Sequence, residues 1–285
     1  MVTSATVPSR AAAPNLAGVD DRPIGVFDSG FGGLTVARAL IDLLPGEDLV
    51  YFGDTGRYPY GPRPLDEVRH FARQVSGVLA GTYGVKMIVV ACNTASAAAL
   101  EVLRFEHDVP VVGVLMPGLR AAVATTRNHR VGVIGTVGTV ASGAYQRGIR
   151  ALRAPVQLTC AACPGFVEFV ERGETDTDQV RVLAGRLLEP LRQAGVDTLL
   201  LGCTHYPFLA RTIGAVMGRD VVLVSSADET AFEVRSILED TGLTARTSGK
   251  GAARFVSSGD VEWFRRLGST LLGPDLEVVE PWTWP

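Results

Sequence analysis

Cysteine is scarce in this chain: Cys92, Cys160, Cys163 and Cys203 are the only four in 285 residues. So few thiols at such spacing do not form a disulfide framework, and they place the chain in a reducing compartment, the cytoplasm. Lysine is nearly missing, with Lys86 and Lys250 alone, and the arginines are scattered through helical segments. With a net charge of -3 and no basic stripe, nothing points to nucleic acid or an anionic membrane. No apolar run approaches the roughly 20 residues of a membrane span, since Lys86 and Asn93 interrupt the best candidate. Residues 1–21, rich in Ala, Pro and Ser, have no continuous apolar stretch and read as a flexible tail rather than a signal peptide.

Several reaction signatures are also missing. There is no HExxH and no Ser-His-Asp pattern. Cys160-Ala161-Ala162-Cys163 has no second pair to complete a structural zinc site, so no metal is expected. A redox pair is the alternative use of these two thiols. The run Asp28-Ser29-Gly30-Phe31-Gly32-Gly33 lacks the G-x-G-x-x-G spacing, and its aspartate would repel a phosphate. It reads as a tight loop whose amides bind a small ligand, with Asp28 acting on a proton or an ammonium group.

What is present is a regular alternation of apolar runs and amphipathic segments, in a chain that is 47% hydrophobic and 20% charged. Strands are expected near Ile24–Asp28, Leu49–Gly53, Met87–Ala91, Val111–Val114, Val131–Gly135, Val156–Cys160, Thr198–Gly202, Val221–Val224 and Arg254–Val256. Helices are expected near Leu65–Ala80, Ala95–Arg104, Gly118–Arg127, Val140–Leu152, Asp178–Ala194 and Thr230–Asp240. Continuous Val/Ile/Leu runs suit strands covered on both faces, and the alternation implies an α/β protein with parallel sheets flanked by helices.

The pattern occurs twice. Ile24–Gly30 and Val131–Thr139 are each a strand ending in glycines and polar residues, and each is followed after a similar length by a strand ending in a cysteine, Cys92 or Cys203. A duplicated domain with a pseudo-twofold axis would set these strand ends face to face across a cleft. The expected division is a tail over 1–21, a first domain of 22–116 with 225–285, and a second domain of 117–224, joined near Met116-Pro117-Gly118.

Each of the two cysteines ends a strand just before a helix start, beside groups that core packing does not require: Asn93-Thr94 and Thr204-His205. A helix N-terminus favours negative charge, so both thiols are expected to have lowered pKa values. The turn-rich run Gly53–Pro62 is either a surface loop or a lid over a ligand.

The runs Gly25–Gly33, Val90–Ser96 and Leu201–Pro207 together closely resemble glutamate racemases, of the cofactor-independent aspartate/glutamate racemase group. Pro59-Tyr60-Gly61 and Gly135–Thr139 match as well, and the likeness spans roughly residues 22 to 275. The resemblance implies two pseudo-symmetric α/β domains with the active site between them, no cofactor, glutamate as the small-molecule substrate, and a homodimer. It implies a two-base mechanism, with Cys92 acting on D-glutamate and Cys203 on L-glutamate. Asp28 would assist the Cys92 proton and His205 that of Cys203. Ser29, Asn93, Thr94, Thr136, Thr204 and the Tyr60-Gly61 loop would hold the substrate. A site carboxylate aligns with Glu171, while Glu168 competes because Gly165 and Glu168 depart from the family pattern. The product would be D-glutamate for peptidoglycan. Aspartate racemisation is the rival substrate reading. DNA gyrase enters as a partner through relatives that inhibit it, although no docking segment here supports it.

Overall fold

A computed structural model describes residues 20–246, 249–273, 276 and 278–285; the tail expected over 1–21 lies, up to residue 19, outside them. The strands are β1 (Ile24–Asp28), β2 (Leu49–Gly53), β3 (Met87–Val90), β4 (Val111–Gly113), β5 (Arg130–Gly135), β6 (Gln157–Ala162), β7 (Thr198–Gly202), β8 (Val222–Ser225), β9 (Ala253–Ser257) and β10 (Val279–Pro281). Between them run α1 (Leu34–Leu43), α2 (Leu65–Gly81), α3 (Asn93–Glu106), α4 (Leu115–Thr125), α5 (Val137–Ala141), α6 (Ala144–Leu152), α7 (Phe166–Glu171), α8 (Asp178–Leu187), α9 (Glu189–Gln193), α10 (Ala210–Met217), α11 (Ala227–Thr241) and α12 (Val261–Leu272).

Among the described residues the strands form two sheets, ordered β10-β9-β2-β1-β3-β4 and β6-β5-β7-β8, and every pairing is parallel. The run β2-β1-β3-β4 of the first sheet and the four strands of the second have the same order, with β1 matching β5, β2 matching β6, β3 matching β7 and β4 matching β8. The protein is thus an α/β fold of two topologically equivalent parallel sheets flanked by helices.

Each central strand is buried on both faces, which explains its unbroken apolar run. Alternate residues go to opposite layers. Val26, Tyr51 and Val89 join Leu34 and Leu40 of α1 and Val234 of α11. Phe27, Phe52 and Val90 join Val75 and Leu79 of α2 and Leu103 of α3. In the second half, Val131, Val133 and Leu200 meet α4 and α6 through Leu119 and Tyr145, while Leu199 and Leu201 meet α8 to α10.

Local chemistry places the ends. Asp66 and Glu67 sit in the first turn of α2, where the helix dipole favours them, and Thr177 and Asp260 cap α8 and α12. Two helices expected to be continuous are broken. The segment Val140–Leu152 divides at Gly143, whose φ of 68° is left-handed, and Asp178–Ala194 divides at Leu188, two residues before Pro190 removes a backbone donor. Strand β6 runs two residues past its expected end, so Cys160 lies within it and Cys163 just beyond.

Candidate active site

Four of the strand ends open on one side. Asp28 ends β1, Cys92 follows β3, Thr136 follows β5 and Cys203 follows β7, as the equivalence of the sheets requires. Parallel strands place ligands at their carboxyl ends. A cavity of about 90 Å³ lies here, with Ser29, Cys92, Asn93 and Thr94 on one wall and Thr136, Cys203, Thr204 and His205 on the other. Tyr58 to Pro62, the Cys163–Gly165 turn and Glu168 add to the wall, with Val137, Val167 and Tyr206. That volume suits a small polar molecule. Lys86 and Lys250 are both outside the lining, so the cavity offers no amine for Schiff-base chemistry. Among the described residues no group of three or more His, Cys, Asp or Glu side chains is arranged to hold a metal.

Cys92 is the N-cap of α3, its sulfur accepting the Ala95 N–H at 3.5 Å and lying 3.9 Å from Ser29 Oγ. The expectation of lowered thiol pKa values is nevertheless overturned. Burial, reinforced by the nearby Asp28 carboxylate, pushes Cys92 up to about 12. Cys203 is also raised, first by burial, and the Cys92 and Asp28 charges add to it. A second reason applies to Cys203. A 3-10 turn, Tyr206–Leu209 with Pro207 as its second residue, comes first and α10 begins only at Ala210, so no α-helix N-terminus abuts the sulfur. The His205 backbone N–H lies against that sulfur and opposes the rise.

Asp28 is fully buried. Its Oδ2 accepts the Gly30 N–H at 3.0 Å, while Oδ1 has no protein partner. The His205 ring stands edge-on to Phe31 at 4.8 Å and stacks on Tyr58 at 6.1 Å, and its Nε2 lies 3.5 Å from Glu171 Oε1. The two competing glutamates therefore occupy different places: Glu168 reaches the cavity wall, and Glu171 stands behind His205 and beside the Tyr58 phenol. Tyr60 lies in the wall, but its hydroxyl donates to Asp54, so the ring that meets His205 is Tyr58.

The two halves are joined across the cavity. Thr94 Oγ1 lies 3.0 Å from Thr136 Oγ1 and 3.1 Å from Thr139 Oγ1, and Asn93 Nδ2 donates to Tyr145 Oη at 3.1 Å. Gly61 O accepts the Gly138 N–H at 3.0 Å. Gly32 lies so close to His205 and Thr204 that a Cβ there would fall 2.5 Å from Nδ1. Thr139, Tyr145 and Tyr58 belong to this region beyond the expected site residues, and so does Cys163, which the sequence offers only as half of a redox pair. Only the Gly135–Thr139 run and the Gly53–Pro62 loop hinted at two of them.

The family model for Asp/Glu/Hydantoin racemase matches residues 24–233. The chain belongs to that family. It is 54% identical over 260 residues to the glutamate racemase of Mycobacterium ulcerans, covering 91% of this chain and 95% of the relative. Among solved structures, a glutamate racemase of Bacillus anthracis superposes with a TM-score of 0.86 at 40% identity, covering 92% of this chain and 97% of that one. A Thermus thermophilus glutamate racemase, solved with beta-chloro-D-alanine, gives a TM-score of 0.82 at 47% identity and coverage of 93% and 98%. As a member of this family the chain is a racemase, an isomerase, and its cleft lies where two equivalent strand ends each present a thiol.

Proposed function

We propose that the chain interconverts L- and D-glutamate without a cofactor, by proton transfer between Cys92 and Cys203. The observation that carries this reading is the pair of thiols, one from each equivalent strand end, on the wall of one small cavity. Inverting a stereocentre needs a base on one face and an acid on the other, and a pseudo-symmetric cleft provides the same group twice. Glutamate is supported by the relatives, which are glutamate racemases, one of them from Francisella tularensis solved with D-glutamate.

One thiolate takes the α-proton, leaving the C–H electron pair delocalised into the α-carboxylate. The other thiol gives its proton to the opposite face, and the thiol and thiolate exchange roles. Cys203 acts on L-glutamate and Cys92 on D-glutamate. Because burial keeps both thiols protonated, each needs a neighbour to hold a proton at the moment of reaction. The unpartnered Oδ1 of Asp28 does this for Cys92, and His205, backed by Glu171, does so for Cys203. Ser29, Asn93, Thr94, Thr136, Thr204 and the Tyr60-Gly61 backbone hold the carboxylates and ammonium. Positioned acid–base transfer supplies roughly 10²–10⁴-fold, so the larger share comes from amides and hydroxyls that stabilise the developing charge.

The reading includes a homodimer, a cytoplasmic location and D-glutamate delivered to peptidoglycan synthesis. Among the described residues no helix is long and apolar enough to cross a membrane. Chiral chromatography of glutamate and aspartate incubations tests the assignment. Glutamate should reach an equal mixture from either enantiomer while aspartate stays optically pure. Inert glutamate, or aspartate turned over faster, contradicts it.

A further inference from the structure

Behind the cavity, on the far side of the 54–62 loop, a buried carboxylate gathers four donors. Asp54 is fully buried. Its Oδ2 accepts from Arg57 Nε at 2.7 Å and from the Tyr60 hydroxyl, and its Oδ1 accepts from Ser258 Oγ at 2.6 Å and Trp284 Nε1 at 3.1 Å. Two of these donors belong to the loop that walls the cavity, and two come from the distant 257–284 region. A desolvated charge is tolerable only when its lone pairs are matched, so Asp54 ties the two regions together. Trp284 contributes twice. Besides its N–H, its ring lies 3.8 Å from the Arg57 guanidinium, which sits between it and Phe71, 4.2 Å away.

We propose that Trp284 is a positioning residue for the cavity wall. Its indole N–H holds Asp54, which through Arg57 and Tyr60 fixes the backbone of residues 57–62 against the Thr136–Gly138 turn. The proposal concerns how tightly that wall meets substrate, and it rests on the racemase reading only where substrate is the probe. The loop has little slack on the cavity side. Gly61 O accepts the Gly138 N–H at 3.0 Å, and a Cβ on Gly61 would meet Thr136 Cγ2 at 2.8 Å. A shift at the Asp54 end is therefore passed to the wall, and it changes binding without touching either thiol.

The same segment supplies a control. Trp282 packs on Phe52 at 5.9 Å and on Trp284 at 6.0 Å, but its Nε1 has no partner. Changing either tryptophan to phenylalanine removes similar ring area and keeps an aromatic ring, at position 284 one that still faces Arg57, and only Trp284→Phe removes a hydrogen bond to Asp54. The full-length variants are compared with L-glutamate as substrate and, without substrate, by amide hydrogen exchange over residues 57–63. Trp284→Phe should raise KM about five- to tenfold, with kcat within about twofold, because Ser258 still donates to the same oxygen. It should also speed exchange in the loop, while Trp282→Phe leaves both readouts within about twofold of the parent. Equal effects from the two variants would show that ring packing is responsible, and loop exchange unchanged in Trp284→Phe overturns the proposal outright. Should the parent fail to turn over glutamate, the racemase reading falls, and the exchange comparison still decides the role of Trp284.

Discussion

At the scale of single residues, burial decides how the thiols behave. Cys92 and Cys203 are 5% and 7% exposed, and the cost of charging a sulfur there outweighs the helix end that Cys92 caps. Such sites hold their protons in the substrate-free state, which is why the proposed mechanism gives Asp28 and the His205–Glu171 pair a proton to take. Cys163, 1% exposed and raised to about 12 by burial, belongs to the same set. A raised folded-state pKa makes stability depend on pH with a definite sign. Below about pH 8.5 both folded and unfolded states keep the proton and the contribution is complete. Above it the unfolded chain releases protons that the native chain retains, so stability falls toward pH 12, by about 1.4 kcal/mol per pH unit for each such thiol. Melting temperatures taken from pH 8 to 11 should therefore decline, and Cys163→Ala should decline less steeply than the parent. An identical alkaline slope in that variant contradicts the assignment.

At the scale of elements, glycine positions separate function from propensity. Gly32 sits in the turn between β1 and α1, and a Cβ there would come 2.5 Å from His205 Nδ1 and 2.6 Å from Thr204 Oγ1. Gly77 lies on the exposed side of α2 with nothing within 4 Å of an added Cβ. Gly32→Ala should reduce turnover by about 100-fold, by displacing His205, to which the proposed mechanism assigns a positioned proton transfer. Gly77→Ala should keep full turnover and gain about 0.5–1 kcal/mol of stability, since alanine loses less backbone entropy in a helix. Turnover assays and chemical denaturation read the two effects, and an active Gly32→Ala enzyme would remove His205 from the mechanism.

Elements also show what a sequence can reveal. Strands β1, β2, β3 and β7 were legible because both faces are covered, which leaves an uninterrupted apolar run that no exposed segment would carry. Helices α1 and α12 were not anticipated. The first begins directly out of the glycine loop, and its signal merges with that loop. Strand β10 was missed because three residues ending in Pro281 carry almost no pattern, and only pairing with β9 makes them a strand. The cysteines, Asp28, Thr136 and His205 stand out in the sequence because each terminates or follows a strand. Thr139, Tyr145 and the choice of Tyr58 over Tyr60 as the ring against His205 depend on which way a side chain turns in the folded cleft. Asp54 captures the Tyr60 hydroxyl, and nothing local in the sequence announces that.

At the scale of the whole molecule, the repeated strand order explains why two of the three thiols lining the cavity, Cys92 and Cys203, sit at matching strand ends. Each half contributes a strand-end thiol, and polar bonds from Asn93 to Tyr145 and from Thr94 to Thr136 and Thr139 hold the halves in register. In the proposed mechanism neither half alone supplies an acid and a base on opposite faces of the substrate. The central claim is therefore that two thiols, one from each half, carry the proton across. Racemisation of L-glutamate in deuterated water, followed by mass spectrometry of each enantiomer for the parent, Cys92→Ser and Cys203→Ser, tests it most directly. The D-glutamate formed by the parent should carry one solvent deuterium while the remaining L-glutamate stays unlabelled early in the reaction, and each serine variant should lose racemisation by at least about 100-fold. Full racemisation in both variants, or D-glutamate that retains the substrate's own α-hydrogen, contradicts the two-thiol account.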